Sequence, residues 1–458
     1  MDEIGFFIYR WNIINVREGG KKMNQFRSQN SRSTIAMFLS LPILSWAFYD
    51  FANTIFSSNI NTIFFPFYMD ETLGTDEVKQ QVASTFISYA NAIASFFLVI
   101  FSPLFGVWID RTGKKKKFIV LFASISILFT FLMGVFSFLN LGLSKDGIPI
   151  TLFLVVVSFV IAKFFFNSSL VFYDAMMPDL GTKEEMPLIS GFGVGIGYLG
   201  TLFGLLVYLY VGDSQFHNAF IPTAILYLLF SLPIFFFIKD KPIAKSERKS
   251  GSFFEGYREI IATFKDMKQY KAIFTFMIAY FFINDAIATT IAMMAIYATA
   301  IVGFTSSEFI LLYLGSTVSS IIGSFLFGYI TKRIGAKPAV TWVSLLMIVA
   351  LSIAVLALEP WMFWIAGSLF GISLGSMWVT SRTLIIELSP KDKQGQFFGL
   401  FAFSGKVSSI IGPAIYGTVT LLLKDYGTIA SRIALATLIV MTIIGLIFHT
   451  RVRTNVTN

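Results

Sequence analysis

The chain has 458 residues, a formal charge of +9 and no cysteine, and 55% of it is hydrophobic, with Phe alone at 53 positions. Apolar stretches long enough to cross about 30 Å of hydrocarbon recur from end to end, and they lack the polar faces that a soluble core helix needs. That composition excludes a soluble globular protein, and the missing cysteine excludes disulfides and thiolate chemistry.

Residues 1–35 read as a cytoplasmic N-terminal segment. Lys21, Lys22, Arg27 and Arg32 follow the small apolar patch of Met1 to Arg10, the reverse of a secretory signal. Twelve spans then follow, at roughly 36–67, 83–109, 117–140, 149–176, 188–212, 218–238, 271–299, 304–330, 337–358, 361–387, 395–423 and 430–449. Each is expected to be helical, because amides facing lipid must be satisfied within their own segment. The expected fold is therefore an all-α polytopic membrane protein of two six-helix bundles, 36–238 and 271–450, with a tail at 451–458. The bundles are joined by a charged linker at 239–270, where Phe253 to Phe264 has the apolar spacing of an interfacial helix.

With this topology, only Lys79, Lys145, Lys424 and Arg432 fall on the side away from the termini, apart from three basic residues within spans. The asymmetry predicts cytoplasmic termini and accounts for the basic charge without any nucleic acid.

A short charged run marks the end of the second span and returns at the end of the eighth. The first copy is Gly106-Val107-Trp108-Ile109-Asp110-Arg111-Thr112-Gly113, followed by Lys114 to Lys117, and the second is Gly328-Tyr329-Ile330-Thr331-Lys332-Arg333-Ile334-Gly335. Glycine, arginine and glycine keep their spacing, which is the mark of a duplicated membrane protein. Asp110 is placed to accept hydrogen bonds at a helix end and Arg111 to hold a neighbouring carboxylate. The second copy has Lys332 in the aspartate position beside Arg333, so a latch there must differ. A second echo of duplication lies inside the spans. Asp50 and Thr54 in the first span, and Asp285 and Thr289 in the seventh, each put an acid and a hydroxyl one helical turn apart on one face.

Ionisable groups within hydrocarbon are costly and mark a bundle interior or a solute path. Asp50, Lys163, Asp285, Arg382 and Lys406, with the amides Asn53, Asn167 and Asn284, are the candidate substrate or ion cavity. Lys163 and Arg382 are the candidate anchors for a carboxylate or phosphate. Asp174 and Glu387, close to the ends of their spans, join Asp110, Arg111, Lys332 and Arg333 as candidate gate or latch residues. Gly193, Gly197, Gly200 and Gly204 allow close helix packing in the fifth span. Gly412 and Pro413 are expected to interrupt the eleventh as a hinge. His217 and His449 are too isolated for a metal site, and no phosphate-binding loop follows a strand.

The Gly-x-x-x-Asp-Arg-x-Gly-Lys-Lys run at Gly106–Lys115, repeated in degraded form, resembles the major facilitator superfamily. Trp46 to Asn53, Phe172 to Pro178 and Phe398 to Lys406 are similar to the branch of fungal vacuolar amino-acid effluxers and their bacterial relatives. The resemblance implies a monomer whose bundles rock about a cavity lined by helices 1, 4, 7 and 10, in a bacterial cell membrane. It implies no cofactor and no enzyme activity. The expected function is alternating-access transport of a small charged or zwitterionic solute, an amino acid first, coupled to a proton or ion through Asp50 or Asp285. Lipid is then the surrounding partner. The rival readings are export of peptides, lipids or amphipathic drugs, and a non-transporting sensor or scaffold.

Overall fold

The computed structural model describes residues 33–73, 77–139, 144–145, 148–212, 214–240, 256–265, 269–426 and 428–453. Residues 1–32 of the expected N-terminal segment, residues 241–255 and 266–268 of the linker, and the last five residues lie outside the described residues. Within them, eleven helices are long and apolar enough to cross a membrane. We number the spanning helices α2 (Glu77–Thr112), α3 (Lys115–Phe138), α4 (Ile150–Met176), α5 (Met186–Gly204, continued by Leu206–Val211) and α6 (Phe220–Phe237) in the first bundle. The second bundle holds α7 (Lys271–Tyr297), α8 (Ser306–Ile334), α9 (Ala336–Leu356), α10 (Pro360–Leu388), α11 (Gln394–Leu422) and α12 (Thr428–Thr450).

The expected first span takes a different form. Here α1 is a helix at Leu41–Phe56, a π-helical stretch at Ser57–Phe64 and a second α-helix at Phe65–Leu73. The cause is local polarity. Ser57, Ser58, Asn59, Asn61 and Thr62 crowd the π stretch, where Thr62 Oγ1 donates to the Ser57 carbonyl at 3.1 Å. Asn59 Nδ2 donates to the Gly204 carbonyl at 2.9 Å, fastening the distorted turn to α5. Wide turns of this kind recur at functional sites. The fold also has one feature not expected of an all-α chain, a two-residue antiparallel pairing of Ser144–Lys145 with Ile148–Pro149 between α3 and α4.

Large apolar side chains divide by environment. Leu209 and Leu358 are 80% and 82% exposed on the outer surface, as lipid-facing positions require, whereas Trp46, Tyr49, Tyr173 and Tyr227 are fully enclosed. In the first bundle Phe65 stacks on Phe159 with centroids 3.8 Å apart.

Alternation of the helices brings both described chain ends and the linker helix (Gly256–Lys265) to one end of the molecule, here termed the near side. The two bundles meet mainly through α2 with α11 and α5 with α8, aided by α5 with α10 and α4 with α11. The duplicated run explains the first two crossings. A Cβ at Gly106 would lie 2.5 Å from the Gly395 carbonyl oxygen of α11, and one at Gly328 would lie 3.1 Å from the Pro187 carbonyl oxygen of α5. The last glycine of each copy, Gly113 at φ 65° and Gly335 at φ 86°, takes the left-handed turn that follows its helix. Each copy thus supplies one close crossing and one tight turn.

Candidate functional site

The interior charges assemble from both bundles. Arg382 of α10 places Nε 3.0 Å from Asp174 Oδ1 of α4 and Nη1 3.8 Å from Asp50 Oδ2 of α1. One guanidinium from the second bundle therefore bridges two carboxylates of the first. Its carbon lies 5.7 Å from the centre of the Tyr173 ring and 5.8 Å from that of Trp378, so aromatic faces complete the cage. Tyr173 is itself held by Trp46, which stacks on it at 4.6 Å and donates from Nε1 to its carbonyl at 3.2 Å. Tyr49 is anchored by donating to Ser169 Oγ at 2.8 Å.

This arrangement redraws the expected division between cavity and latch. Asp174 joins Asp50 and Arg382 in a single ionic bridge between the bundles. The physical reason is depth: Asp174 lies in the last turn of α4 and Arg382 about two turns before the end of α10, so both sit just inside the near side. The other polar candidates are local anchors. Tyr227 donates to Asn53 Oδ1 at 3.3 Å, and Asn167 Nδ2 donates to the Lys163 carbonyl at 2.9 Å.

Deeper towards the far side lie Lys163 of α4 and Lys406 of α11, one cation from each bundle. Both are half-buried, and neither forms an ion pair among the described residues. Lys163 donates to Asn91 Oδ1 of α2. Asn91 was missed by the sequence reading, although a lone amide in an otherwise apolar span was a usable signal.

In the second bundle, α7 clamps one face of α11. Asn284 Nδ2 donates to the Gly405 carbonyl and to Ser408 Oγ, both at 2.8 Å, and the Gly412 amide donates to Asp285 Oδ1 at 2.7 Å. The expected break at Gly412-Pro413 does not occur, because α11 continues through it to Leu422. In the first bundle, Gly193, Gly197, Gly200 and Gly204 of α5 all pack against α1, at Trp46, Asp50, Phe51 and Asn59 respectively. They are intrabundle contacts, and the surfaces between bundles use Gly191 and Gly195 instead.

The near-side contacts are asymmetric. Asp110 accepts from the Gly395 and Gln396 amides, each at 2.7 Å, and so caps the start of α11 across the bundle interface. Arg111 pairs with Glu259 of the linker helix at 2.9 Å, and Gln396 Nε2 donates to Thr263 of the same helix at 2.8 Å. Tyr257 donates to the Ile100 carbonyl of α2 at 2.8 Å, so the linker helix is strapped across the α2–α11 crossing. Lys332 and Arg333, the second copy, are exposed and form no ion pair among the described residues. Glu387 lines a near-side pocket with Ala336, Lys337 and Arg453. Of the lysine run, Lys115 pairs with Asp179 at 2.7 Å. Replacing Asp110 by Ala removes both capping bonds, a loss of about 0.5–2 kcal/mol. The expected result is increased maleimide labelling of a cysteine introduced at buried Ser190, a residue of the α5–α10 interface, in a chain with no cysteine background.

Matching against known families covers residues 42–456 with the vacuole effluxer family described as Atg22-like. The chain belongs to that family. The uncharacterized MFS-type transporter YxiO of Bacillus subtilis is 27% identical over 416 residues, covering 88% of this chain and 92% of its own length. Autophagy-related protein 22 of Kluyveromyces lactis is 24% identical, covering 74% of each chain. Among solved structures, the major facilitator proton:xylose symporter XylE superposes with a TM-score of 0.65 at 12% identity, over 92% of this chain and 96% of its own. The fold is thus that of the major facilitator superfamily, and the chain is an integral membrane protein of the MFS transporter type. Two of the three stretches that resemble the effluxer branch are spatially joined, since Trp46 to Asn53 and Phe172 to Pro178 build the Arg382 cage.

Proposed function

We propose that this protein is a secondary-active, alternating-access transporter of a small anionic or zwitterionic solute, with amino acids the first class to test. The observation that carries the reading is the pair Lys163 and Lys406. They come from opposite bundles, lie near mid-membrane and have no carboxylate partner among the described residues, while Arg382 is already neutralised by Asp50 and Asp174. Interior cations with no carboxylate partner are costly unless an anion joins them. A solute carboxylate or phosphate held by both compensates the two charges and links α4 to α11 across the bundles, as alternating access about a shared site requires.

The near side, which carries the termini and most of the basic residues, is read as cytoplasmic. Arg382 and the duplicated glycines are the contacts that hold that side together.

The test is flux of amino acids and small organic anions into proteoliposomes. Lys163→Ala and Lys406→Ala are each expected to raise KM about tenfold or more, since a lost charge-assisted contact is worth roughly 1.5–3 kcal/mol. Binding without flux by the parent protein would sink the transport reading and leave a sensor.

A further inference from the structure

The acid–hydroxyl pair of the first span has a structural twin in the seventh, and the two differ in one respect. In the first bundle, Asp50 and Thr54 pack on Gly197 of α5. Asp50 has the Arg382 guanidinium at 3.8 Å, and Thr54 Oγ1 donates to the Gly197 carbonyl. In the second bundle, Asp285 and Thr289 pack in the same way on Gly412 of α11. There, Asp285 Oδ1 accepts from the Gly412 amide, but Asp285 Oδ2 and Thr289 Oγ1 have no partner, and both residues are 0% exposed. Thr289 Oγ1 and the bonded Asp285 Oδ1 lie against Gly412, while Thr289 Oγ1 and Asp285 Oδ2, on residues one helical turn apart, are left unsatisfied. The duplicated arrangement carries its cation as a side chain in one bundle and lacks one in the other.

We propose that Asp285 and Thr289, closed over by Gly412, form a binding site for a small monovalent cation, a proton or a sodium ion. The orphan carboxylate oxygen supplies the charge and the hydroxyl a neutral oxygen. A divalent ion is disfavoured, because no cluster of three or more acidic or His ligands exists among the described residues.

Several charged and titratable groups lie on the helices packed around α7. Arg382 is on Asp50 and Asp174, Lys406 has no carboxylate partner among the described residues, and Glu387 lines the near-side pocket. Arg432 donates to the Val355 and Ala357 carbonyls, His449 bonds the Lys337 carbonyl, and Tyr416 lies by Ser431. On α7 itself, Tyr280 donates to Asn284 Oδ1 and Tyr297 to the Ala354 carbonyl. None forms an ion pair with Asp285.

The site is placed to couple. Asn284 and Asp285 grip Gly405, Ser408 and Gly412 along one face of α11, the helix that also carries Lys406. A cation that enters or leaves at Asp285 changes the grip of α7 on the helix that carries a solute anchor. This coupling step rests on the transport reading; the cation site does not.

The experiment uses the purified full chain in nanodiscs and needs no solute. Thermal stability is measured in sodium chloride and in choline chloride at equal ionic strength. In parallel, infrared difference spectra across a pH series follow the carboxylic-acid carbonyl stretch. The first expected result is a sodium-dependent rise in melting temperature, or else a titrating carboxyl band; the former assigns sodium and the latter a proton. In Asp285→Asn, which keeps the shape and can still accept from Gly412, either signal is lost. In Thr289→Val the sodium effect weakens at least tenfold in half-saturating concentration, or the band shifts in frequency. Asp425→Asn, an exposed acid on the far side, leaves the signal in place. Neither signal in the parent, or either one surviving in Asp285→Asn, overturns the site. Coupling has its own readout, because Gly106→Val, which forces the near side apart, must displace the sodium or pH midpoint. An unmoved midpoint reduces the site to a static one.

Discussion

Replacing Arg382 by Ala is expected to abolish flux in proteoliposomes and to expose the near side. The variant strands Asp50 and Asp174, two carboxylates buried beside each other, without the guanidinium that bridges them. Removing one partner of a buried pair costs about 3–5 kcal/mol because the remaining charges stay desolvated. That cost falls on the closed near side alone, since only there do α10 and the α1–α4 pair share the bridge. A cysteine at Ser190 is therefore expected to go from protected to readily labelled by maleimide. Arg382→Lys keeps the charge but not the planar fork that reaches both carboxylates, so partial protection is expected. Full protection of Ser190→Cys in the Arg382→Ala background would show that the bridge does not hold the bundles together.

The second large effect is steric. Gly106→Val is expected to hold the near side open and to slow transport, with Ser190→Cys labelling raised about tenfold. A Cβ at Gly106 lies 2.5 Å from the Gly395 carbonyl oxygen and 2.9 Å from the Gln396 Cα, and both are main chain that no rotamer change can move. Relief comes only by separating α2 from α11, at a cost of roughly 1–3 kcal/mol, which corresponds to about a five- to 150-fold shift between states. Gly328→Ala at the twin crossing meets its nearest atom at 3.1 Å, so its effect is expected in the same direction but smaller. Equal labelling in parent and Gly106→Val would remove the crossing from the list of elements that hold the near side shut.

Much of the architecture is legible in the sequence because lipid leaves few choices. The spans follow from apolar length, and the duplication is visible in Gly106–Gly113 and Gly328–Gly335, whose glycines prove to serve the same two purposes in each bundle. The first span shows the limit of that reading. Length alone made it one helix, whereas five polar residues in Ser57–Thr62 widen it into a π turn tied to α5. Gly412-Pro413 shows another, for a dipeptide that reads as a break is carried within α11, with its amide turned to Asp285.

The candidate site divides along the same line. Hydrophobic length and the high cost of burying charge are properties of the chain, so the sequence by itself determined the membrane class, the two-bundle plan and a short roster of interior ionisable residues. Which of those charges neutralise one another depends on distances between helices far apart in the chain, and only the tertiary structure decided that. It joined Asp50 and Asp174 to Arg382, left Lys163 and Lys406 without a carboxylate partner among the described residues, and gave Asp285 an amide but no basic side chain. The physical reason is that Coulomb energy falls with separation and depends on the surrounding dielectric, neither of which is written in the order of residues.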